Sequence, residues 1–393
     1  MIELPAQSIL DTDLYKFSMQ QAVLIKYPNV EMESRWANRN GTQFSNKAVD
    51  AIRNNIERMS ELRVTDEEIA QLSKACPFFT PSYLAYLKNY RFNPNEVEIT
   101  QDNDANFAAS YRGKWHSQIL WEIPGLFIPS DAYYKCDDTD WSDEGQEALL
   151  REKAKFLWKC TFADFGTRRR RNFQAQDRAV RILKDNPGFV GTSNVYLALK
   201  YGVKPLGTTA HEFTISCQVL SGIRHCNRAA LEAWNDVYKG NLGIALPDTI
   251  GSDAFFADFN GVLSRLFDGT RHDSGDPYEY GEKAIAHYEK LGINPLSKVI
   301  IFSDGLRANV DAAPDKNPEK IRQYFEGRIK VSFGIGTDFT NDFLESPALN
   351  IVIKPYTVNG IPVVKLSDSP GKAMGDKDAL RVTRWLVNGT PLD

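Results

Sequence analysis

Short apolar runs alternate with helix-like segments through the carboxyl-terminal half of this chain. Val299–Phe302 leads into Ser303–Leu306, and Ile329–Phe333 leads in the same way into Gly334–Asp338. Each run has the length and composition of a buried strand, and each ends in small polar residues. Segments with helical periodicity lie before and between the two runs, at Tyr280–Leu291 and Pro318–Gly327. This βα rhythm is typical of a parallel sheet, in which the loops after the strand carboxyl ends form the functional site.

Earlier segments extend the same series. Gly188–Val190 leads into Gly191–Asn194, and Val203–Leu206 leads into Gly207–Phe213. Ala245–Thr249 adds a further strand end with polar groups. Several strand ends of this kind favour an α/β fold whose principal part is an irregular (β/α) barrel.

The first third of the chain lacks this rhythm. Residues Asn46–Tyr90 are rich in charged and helix-favouring residues, with a good helix start at Thr65–Glu68. Val97–Thr100 and Trp115–Glu122 have the composition of strands of a separate sheet. We therefore predict an N-terminal α+β domain over residues 1–130 and a barrel domain over residues 131–355.

A hairpin is predicted after the barrel domain. Ile351–Pro355 and Ile361–Leu366 are apolar and are joined around Asn359-Gly360, a pair that favours tight hairpin turns. We expect residues 356–393 to return to the first domain and to complete an α+β sandwich there.

Bulk properties favour a cytoplasmic enzyme. The 393 residues carry a formal net charge of −4, without a dominant basic face, which argues against nucleic acid as the main partner. The amino terminus lacks the regions of a signal peptide, and no apolar run reaches the roughly 20 residues of a membrane span. The five cysteines are widely spaced and form no metal or redox signature, so we expect reduced, mostly buried thiols.

The segment Phe267–Pro277 has the composition of a sugar-phosphate site. Asp273 and Asp276 could accept hydrogen bonds from vicinal hydroxyls or share a divalent cation, and Arg271 supplies a fork of donors. The glycines of Gly334–Thr337 would let backbone N–H groups approach a phosphate. The alternative is that these are ordinary turns on a solvated surface, since Asp, Ser, Gly and Pro are common turn residues.

Four adjacent arginines follow Asp164–Thr167. Because Arg168–Arg171 would repel one another, anions or carboxylates should lie nearby. On a strand, at most two of the four could point into a site while the others pair on the outside. A solvated basic patch is the alternative.

His211 stands in a Thr-Thr-Ala-His-Glu-Phe segment that we expect to be a loop at a strand end. A lone histidine is usually structural, but a neutral imidazole oriented by a carboxylate is a competent nucleophile or general base. Whether Glu212 or a more distant acid orients it does not follow from the sequence, because adjacent side chains on a strand diverge.

Seven short motifs in order resemble the nicotinate phosphoribosyltransferase family. They are Leu10–Phe17, Asp164–Arg171, Gly191–Asn194, Gly207–Phe213, Arg271–Pro277, Phe302–Leu306 and Phe333–Thr337. The resemblance implies that nicotinate and phosphoribosyl pyrophosphate yield nicotinate mononucleotide and pyrophosphate, with Mg²⁺, in the salvage route to NAD. It also implies coupled hydrolysis of ATP through a transient phosphohistidine at His211.

Residue roles follow from this resemblance and from the chemistry of the reaction. The implied catalytic residues are His211, Asp273 and Asp248, and the implied magnesium ligands are Asp273 and Asp276. Asp273 and Asp248 would stabilise the ribose oxocarbenium ion, and Arg168 with Mg²⁺ the leaving pyrophosphate. The implied substrate-binding residues are Tyr15, Phe165, Arg168, Ser193, Thr209, Arg271, Ser303, Asp304, Gly305, Gly334, Gly336 and Thr337.

Phe165 and Tyr15 match the family's aromatic clamp on the pyridine ring. In relatives the residue matching Tyr15 comes from the other subunit, which implies a homodimer with shared active sites. The chain has no Gly-x-x-x-x-Gly-Lys-Ser/Thr run, and in the family ATP uses much of the same phosphate site instead.

Other functions remain open on the sequence. A nicotinamide phosphoribosyltransferase shares the fold, but there an aspartate matches Ser193, and a serine favours an anionic substrate. A quinolinate enzyme uses related chemistry with decarboxylation. Outside this group, an aldolase-like or sugar-phosphate-binding barrel and a non-catalytic binding module are the alternatives.

Overall fold

Two sheets organise this protein, for which we describe a computed structural model. The structure describes residues 4–102, 106–369 and 371–390. The ends of the predicted domains, at residues 1–3 and 391–393, lie outside the described residues, as do positions 103–105 and 370.

The strands are β1 (Glu31–Asn38), β2 (Val97–Gln101), β3 (Phe107–Lys114), β4 (Phe162–Asp164), β5 (Phe189–Thr192), β6 (Ile244–Ala245), β7 (Gly269–His272), β8 (Val299–Phe302), β9 (Lys330–Ile335), β10 (Ile351–Val358), β11 (Ile361–Pro362), β12 (Val364–Lys365) and β13 (Met374–Gly375).

The helices are α1 (Leu14–Lys26), α2 (Asn46–Arg58), α3 (Asp66–Ala75), α4 (Pro81–Asn89), α5 (Trp115–Gln118), α6 (Pro124–Cys136), α7 (Gln146–Phe156), α8 (Phe173–Leu183), α9 (Val195–Tyr201), α10 (His211–Leu220), α11 (Cys226–Tyr238), α12 (Ser252–Asp258), α13 (Gly261–Leu266), α14 (Pro277–Lys290), α15 (Pro318–Phe325), α16 (Thr337–Thr340) and α17 (Lys377–Asn388).

The central sheet is parallel and has the strand order β5-β4-β9-β8-β7-β6. Ile300 and Phe302 on β8 and Phe333 and Ile335 on β9 are fully buried. The predicted α/β class and parallel sheet are confirmed. Closure of this sheet into a barrel is not confirmed, because β5 and β6 are its two edges among the described strands.

The gap between these edges is narrow. Val203–Leu206, predicted as a strand, makes only a single parallel bridge, from Pro205 to Thr192 on β5. The Thr208 hydroxyl then donates to the Ile244 carbonyl of β6 at 3.0 Å. Proline cannot donate to a ladder, so the segment stays irregular.

The outer sheet is antiparallel and has the strand order β11-β10-β1-β3-β2. β10 and β11 form the predicted hairpin, whose turn residues Asn359 and Gly360 have φ values of 48° and 75°. β10 pairs with β1, so the chain returns to its first third as expected. The exact domain limits stay a prediction.

Helix starts are governed by local capping. The Thr65 side chain accepts from the Glu68 backbone N–H while Glu68 accepts from Thr65, which confirms the predicted start of α3. Trp115–Glu122, predicted as a strand, is instead α5 followed by a 3₁₀ turn at Ile119–Glu122. Trp115, Ile119, Leu120 and Trp121 are all buried, and in a segment buried on most sides the apolar pattern does not distinguish helix from strand.

Candidate active site

A cavity of about 340 Å³ lies at the carboxyl ends of the central strands and is covered by residues of the outer sheet. Its cationic lining residues are Arg39, Arg168, Arg169, Arg271, Lys354, Lys365 and Lys372. Its carboxylate lining residues are Asp13, Glu122, Asp273 and Asp304. The excess of positive charge favours an anionic ligand.

The predicted site residues converge here because the carboxyl ends of parallel strands meet at one edge of the sheet. The predicted residues that line the cavity are Tyr15, Phe165, Arg168, Ser193, His211, Arg271, Asp273, Ser303, Asp304, Gly305, Gly334, Gly336 and Thr337. Thr209, Asp248 and Asp276 are not among the lining residues.

His211 is the first residue of α10, and not a loop residue as predicted. Its Nε2 lies 2.7 Å from Asp248 Oδ1 and 3.8 Å from Asp273 Oδ2. Burial and the charge of Lys365 lower the pKa of His211 to about 4, so the imidazole is neutral at neutral pH. The neutral ring donates Nε2–H to Asp248, which leaves the Nδ1 lone pair free.

Asp248 orients His211 and does not line the cavity. Its Oδ2 accepts from Ser274 Oγ at 2.6 Å and from Lys365 Nζ at 2.8 Å. Burial opposes the charge of Asp248, but His211 and Lys365 hold the pKa of this carboxyl well below its usual range. Both carboxylate oxygens of Asp248 are engaged inside the protein, and the implied contact of Asp248 with the ribose stays a prediction. Glu212 points elsewhere and contacts Lys16.

Asp273 is the carboxylate that faces the cavity. Ser303 Oγ donates to its Oδ1 at 2.9 Å, and its side chain is 22% exposed. Burial opposes its charge, but Arg271 and His211 keep the pKa of Asp273 below its usual range, so it is ionised. The carboxylate is available to a hydroxyl or a cation.

Asp276, which is predicted as a metal ligand, lies at the start of α14. Its carboxylate caps α14 by accepting from the backbone N–H groups of Tyr278 and Glu279 at 2.8 and 3.0 Å. Thr209 is likewise placed outside the main cavity, and its hydroxyl donates to the Ala210 carbonyl at 3.4 Å.

One cluster of the described residues could hold a divalent cation. Donor atoms of His211, Asp248 and Asp273 lie within 4.8 Å of one another. Because Asp248 is already fully engaged, Asp273 is the oxygen donor that fits Mg²⁺, which usually takes one or two carboxylates together with substrate phosphates.

The four arginines do not form a strand. Thr167–Arg169 is a 3₁₀ turn that directs Arg168 and Arg169 to the cavity. Arg170 is buried and pairs with both carboxylate oxygens of Asp11 at 2.7 and 2.8 Å. Arg171 is also buried and donates to Ser346 Oγ at 2.7 Å. Two arginines therefore serve the cavity, but the other two pair inside the protein rather than on its outside.

Glycine is required at position 334 because the Phe165 ring lies against this residue. A Cβ at this position would lie 2.3 Å from the Phe165 ring, so only glycine lets the ring pack there. The Phe165 backbone N–H donates to the Ile335 carbonyl at 2.8 Å and fixes this contact. Gly334 thus allows the Phe165 ring to present an aromatic face to the cavity.

Several lining residues escaped the sequence analysis. Arg39 follows β1, Lys354 lies on β10 and Lys365 on β12, and all reach the cavity from outside the central sheet. The sequence did contain a signal for two of them: Lys354 and Lys365 are single lysines within the otherwise apolar runs Ile351–Pro355 and Ile361–Leu366. Asp13 and Glu122 were also missed, although Asp13 belongs to a motif that carried the resemblance.

Comparison with known proteins places this arrangement in a family. The model of the nicotinate phosphoribosyltransferase (NAPRTase) family matches residues 160–388, and the model of the NAPRTase N-terminal domain matches residues 10–129. The chain belongs to this family.

Relatives of the family match over the full length. The chain is 48% identical to nicotinate phosphoribosyltransferase of Methanosarcina mazei, with 98% of this chain and 99% of the relative covered. It is similar to the crystal structure of nicotinate phosphoribosyltransferase from Porphyromonas gingivalis, at 35% identity and a TM-score of 0.93, covering 98% of this chain and 100% of that one. The Vibrio cholerae structure gives a TM-score of 0.90 at 34% identity, covering 98% and 94%.

Within residues 4–102, 106–369 and 371–390, no helix has both the length and the apolar character needed to span a bilayer.

Proposed function

We propose that this protein is a nicotinate phosphoribosyltransferase that couples the formation of nicotinate mononucleotide to hydrolysis of ATP, in the salvage route to NAD. The observation that carries the proposal is the cavity, where cations outnumber carboxylates and Asp273 lies beside an ordered histidine. Both co-substrates and nicotinate are anions, so one cationic cavity suits all of them.

The central step is displacement at the anomeric carbon of phosphoribosyl pyrophosphate. The pyridine nitrogen of nicotinate forms a bond to that carbon as the bond to the pyrophosphate oxygen breaks. Positive charge develops on the ribose, where Asp273 stabilises it, and negative charge develops on the leaving group, where Arg168 and neighbouring lysines stabilise it. Asp273, together with substrate oxygens, would hold Mg²⁺, which would supply further neutralisation of the pyrophosphate charge.

The remaining lining residues bind and orient the substrates. The Phe165 and Tyr15 rings offer apolar faces for the pyridine ring, and Arg271 offers donors for its carboxylate. Gly336 follows the end of β9, and together with Gly334 on that strand and Thr337 at the start of α16 it offers backbone groups to the 5′-phosphate.

ATP coupling rests on His211. The Nδ1 lone pair attacks the γ-phosphorus of ATP, the bond to the β,γ-bridging oxygen breaks, and ADP leaves. Asp248 holds the Nε2 proton and stabilises the positive ring, as the third member of a catalytic triad does. Hydrolysis of the phosphohistidine then returns the enzyme to its starting state.

A pH dependence follows from Lys354. Burial and the charge of Arg168 lower the pKa of Lys354 to about 8, against the opposing effect of Glu122. As the pH rises through about 8, the cavity loses this positive charge, so kcat/KM for phosphoribosyl pyrophosphate should fall. In the Lys354→Arg variant, which stays charged, the fall should move to higher pH. If kcat/KM falls over the same alkaline pH range in both proteins, the assignment of this pH dependence to Lys354 is contradicted.

Ser193 should discriminate nicotinate from nicotinamide. Its Oγ donates to Asp13 Oδ1 at 2.7 Å at the cavity wall. Ser193→Asp adds a carboxylate that repels nicotinate, and a like-charge contact at about 4 Å costs on the order of 4 kcal/mol at an effective dielectric near 20, less with solvent. We expect the ratio of kcat/KM for nicotinate over nicotinamide to fall sharply, with Ser193→Asn as the uncharged control. An unchanged ratio in the folded variant would leave discrimination to Arg271.

The sequence predicts a homodimer with shared active sites, in which the partner subunit would supply Tyr15. Because Tyr15 and Asp273 line one cavity of a single chain, we infer that a partner subunit is not needed to supply Tyr15. Mixing unfolded Tyr15→Ala and Asp273→Ala chains and refolding them together should therefore restore no activity. Recovery of about a quarter of the wild-type rate, the value for a random mixture with sites shared between two subunits, would contradict this.

A substrate panel tests the proposed function. Purified protein is given phosphoribosyl pyrophosphate, Mg²⁺ and ATP with nicotinate, nicotinamide or quinolinate, and the products are identified by mass spectrometry. We expect nicotinate mononucleotide from nicotinate as the main product. Faster conversion of nicotinamide, or release of CO₂ from quinolinate, would favour the related enzymes instead.

A further inference from the structure

Lys16 is a buried lysine that does not line the cavity but contacts two carboxylates beside it. Lys16 is fully buried, and its Nζ lies 2.5 Å from Glu122 Oε2 and 2.5 Å from Glu212 Oε2. Glu122 lines the cavity, whereas Glu212 directly follows His211 on α10. Lys16 itself directly follows Tyr15 on α1.

The contacts around this lysine define the geometry on both sides. The Tyr15 hydroxyl donates to Glu122 Oε2 at 3.5 Å, and Lys16 Nζ lies 5.6 Å from the centre of the Tyr15 ring. On the other side, Glu212 Oε1 accepts from Trp115 Nε1 at 2.6 Å. Each carboxylate is therefore held by two partners, and the lysine is the partner that they share.

We propose that Lys16 is a positioning residue: its ammonium, clamped between Glu122 and Glu212, fixes the Tyr15 ring and the Glu122 carboxylate relative to the His211 imidazole. The inference rests on the proposed function, since Tyr15 serves nicotinate and His211 serves ATP there. Without Lys16, Glu122 keeps, among the described residues, only the long hydrogen bond from the Tyr15 hydroxyl, so its carboxylate can turn further into the cavity and repel the nicotinate carboxylate.

The charges of the cluster agree with this geometry. Burial opposes the charge of Glu122, but Lys16 and Lys354 lower the pKa of Glu122 to about 2, so this carboxylate is an anion. Burial also opposes the charge of Lys16, yet Glu122 and Glu212 raise the pKa of Lys16 above its usual value. A buried lysine between two carboxylates could serve only to neutralise their negative charge. The experiment therefore has to distinguish the loss of this neutralisation from the loss of positioning.

A double variant separates the two roles. Lys16→Met alone leaves two buried carboxylates with one cation fewer, and its melting temperature should drop. Lys16→Met/Glu212→Gln restores the balance and should recover most of that loss. If Lys16 positions the site, the double variant should still have a KM for nicotinate at least about tenfold above that of wild type. ATP should also phosphorylate His211 more slowly in this variant. The KM for phosphoribosyl pyrophosphate should change little.

Two further variants complete the experiment. Lys16→Arg keeps the charge with a longer, planar head group, so it should fold and also raise KM for nicotinate, which answers the question if the double variant is unstable. Lys298→Met is the matched control, because Lys298 is a buried lysine that donates to the Arg265 and Phe267 carbonyls at 3.2 and 2.6 Å. It should lower the melting temperature and leave KM for nicotinate unchanged.

The outcomes are distinguishable. A folded double variant, or Lys16→Arg, with wild-type KM for nicotinate and wild-type phosphorylation of His211 would overturn the positioning role and leave the proposed function standing. Failure of the wild-type protein itself to form nicotinate mononucleotide would overturn both.

Discussion

Replacing Asp273 by alanine should abolish most turnover while leaving the protein folded. Asp273 lies at a loop after β7 and makes a single hydrogen bond, from Ser303, so it contributes little to packing. Its loss removes the charge that faces the developing oxocarbenium ion, and losses from such groups are often ~10²–10³-fold in kcat. Steady-state kinetics with nicotinate and phosphoribosyl pyrophosphate would measure the effect.

Asp276→Ala is the matched control for this variant. Asp276 belongs to the same segment but caps α14, so its replacement should cost about 1 kcal/mol of unfolding free energy and leave kcat close to wild type. Near-normal activity of Asp273→Ala, or equal loss in both variants, would remove Asp273 from its assigned role.

The second large effect is expected at His211. Asparagine has a similar size but no ring nitrogen to phosphorylate, so His211→Asn should lose both ATP hydrolysis and the gain that ATP gives to nucleotide formation. A weak ATP-independent reaction should remain, because Asp273 and the cationic residues are untouched. Incubation of wild type with γ-labelled ATP should give acid-labile, alkali-stable phosphate on the protein.

His287→Asn is the control here, because His287 contacts the Phe259 carbonyl at 2.8 Å and is not a cavity residue. It should be labelled and hydrolyse ATP as wild type does. Equal labelling of His211→Asn and wild type would overturn the assignment of the phosphorylated residue.

The central sheet was predictable from two of its strands that are rich in apolar residues. Val299–Phe302 and Ile329–Phe333 read as apolar runs, and they are β8 and most of β9. β4 escaped because Phe162–Asp164 is too short to show a pattern. The strand predicted at Trp115–Glu122 was wrong because most of the segment is buried, so its apolar pattern does not distinguish helix from strand.

The site was predictable to the extent that it is built from strand ends. Residues after β4, β7, β8 and β9 were found because parallel strands bring their ends together. Lys354, Lys365 and Lys372 were missed because they reach the cavity from segments far away in the sequence, and a lysine within an apolar run does not by itself show which cavity it enters. The contact between His211 and Asp248 could not be read either, since which carboxylate faces an imidazole depends on tertiary packing.

The most direct measurement is the conversion of carbon-labelled nicotinate by the purified wild-type protein with phosphoribosyl pyrophosphate and Mg²⁺, with and without ATP, while ADP is measured in the same samples. The account predicts labelled nicotinate mononucleotide in both cases, with a clear increase when ATP is present and ADP that appears together with product. Absence of labelled mononucleotide under both conditions, in protein that is folded, would contradict the proposed function.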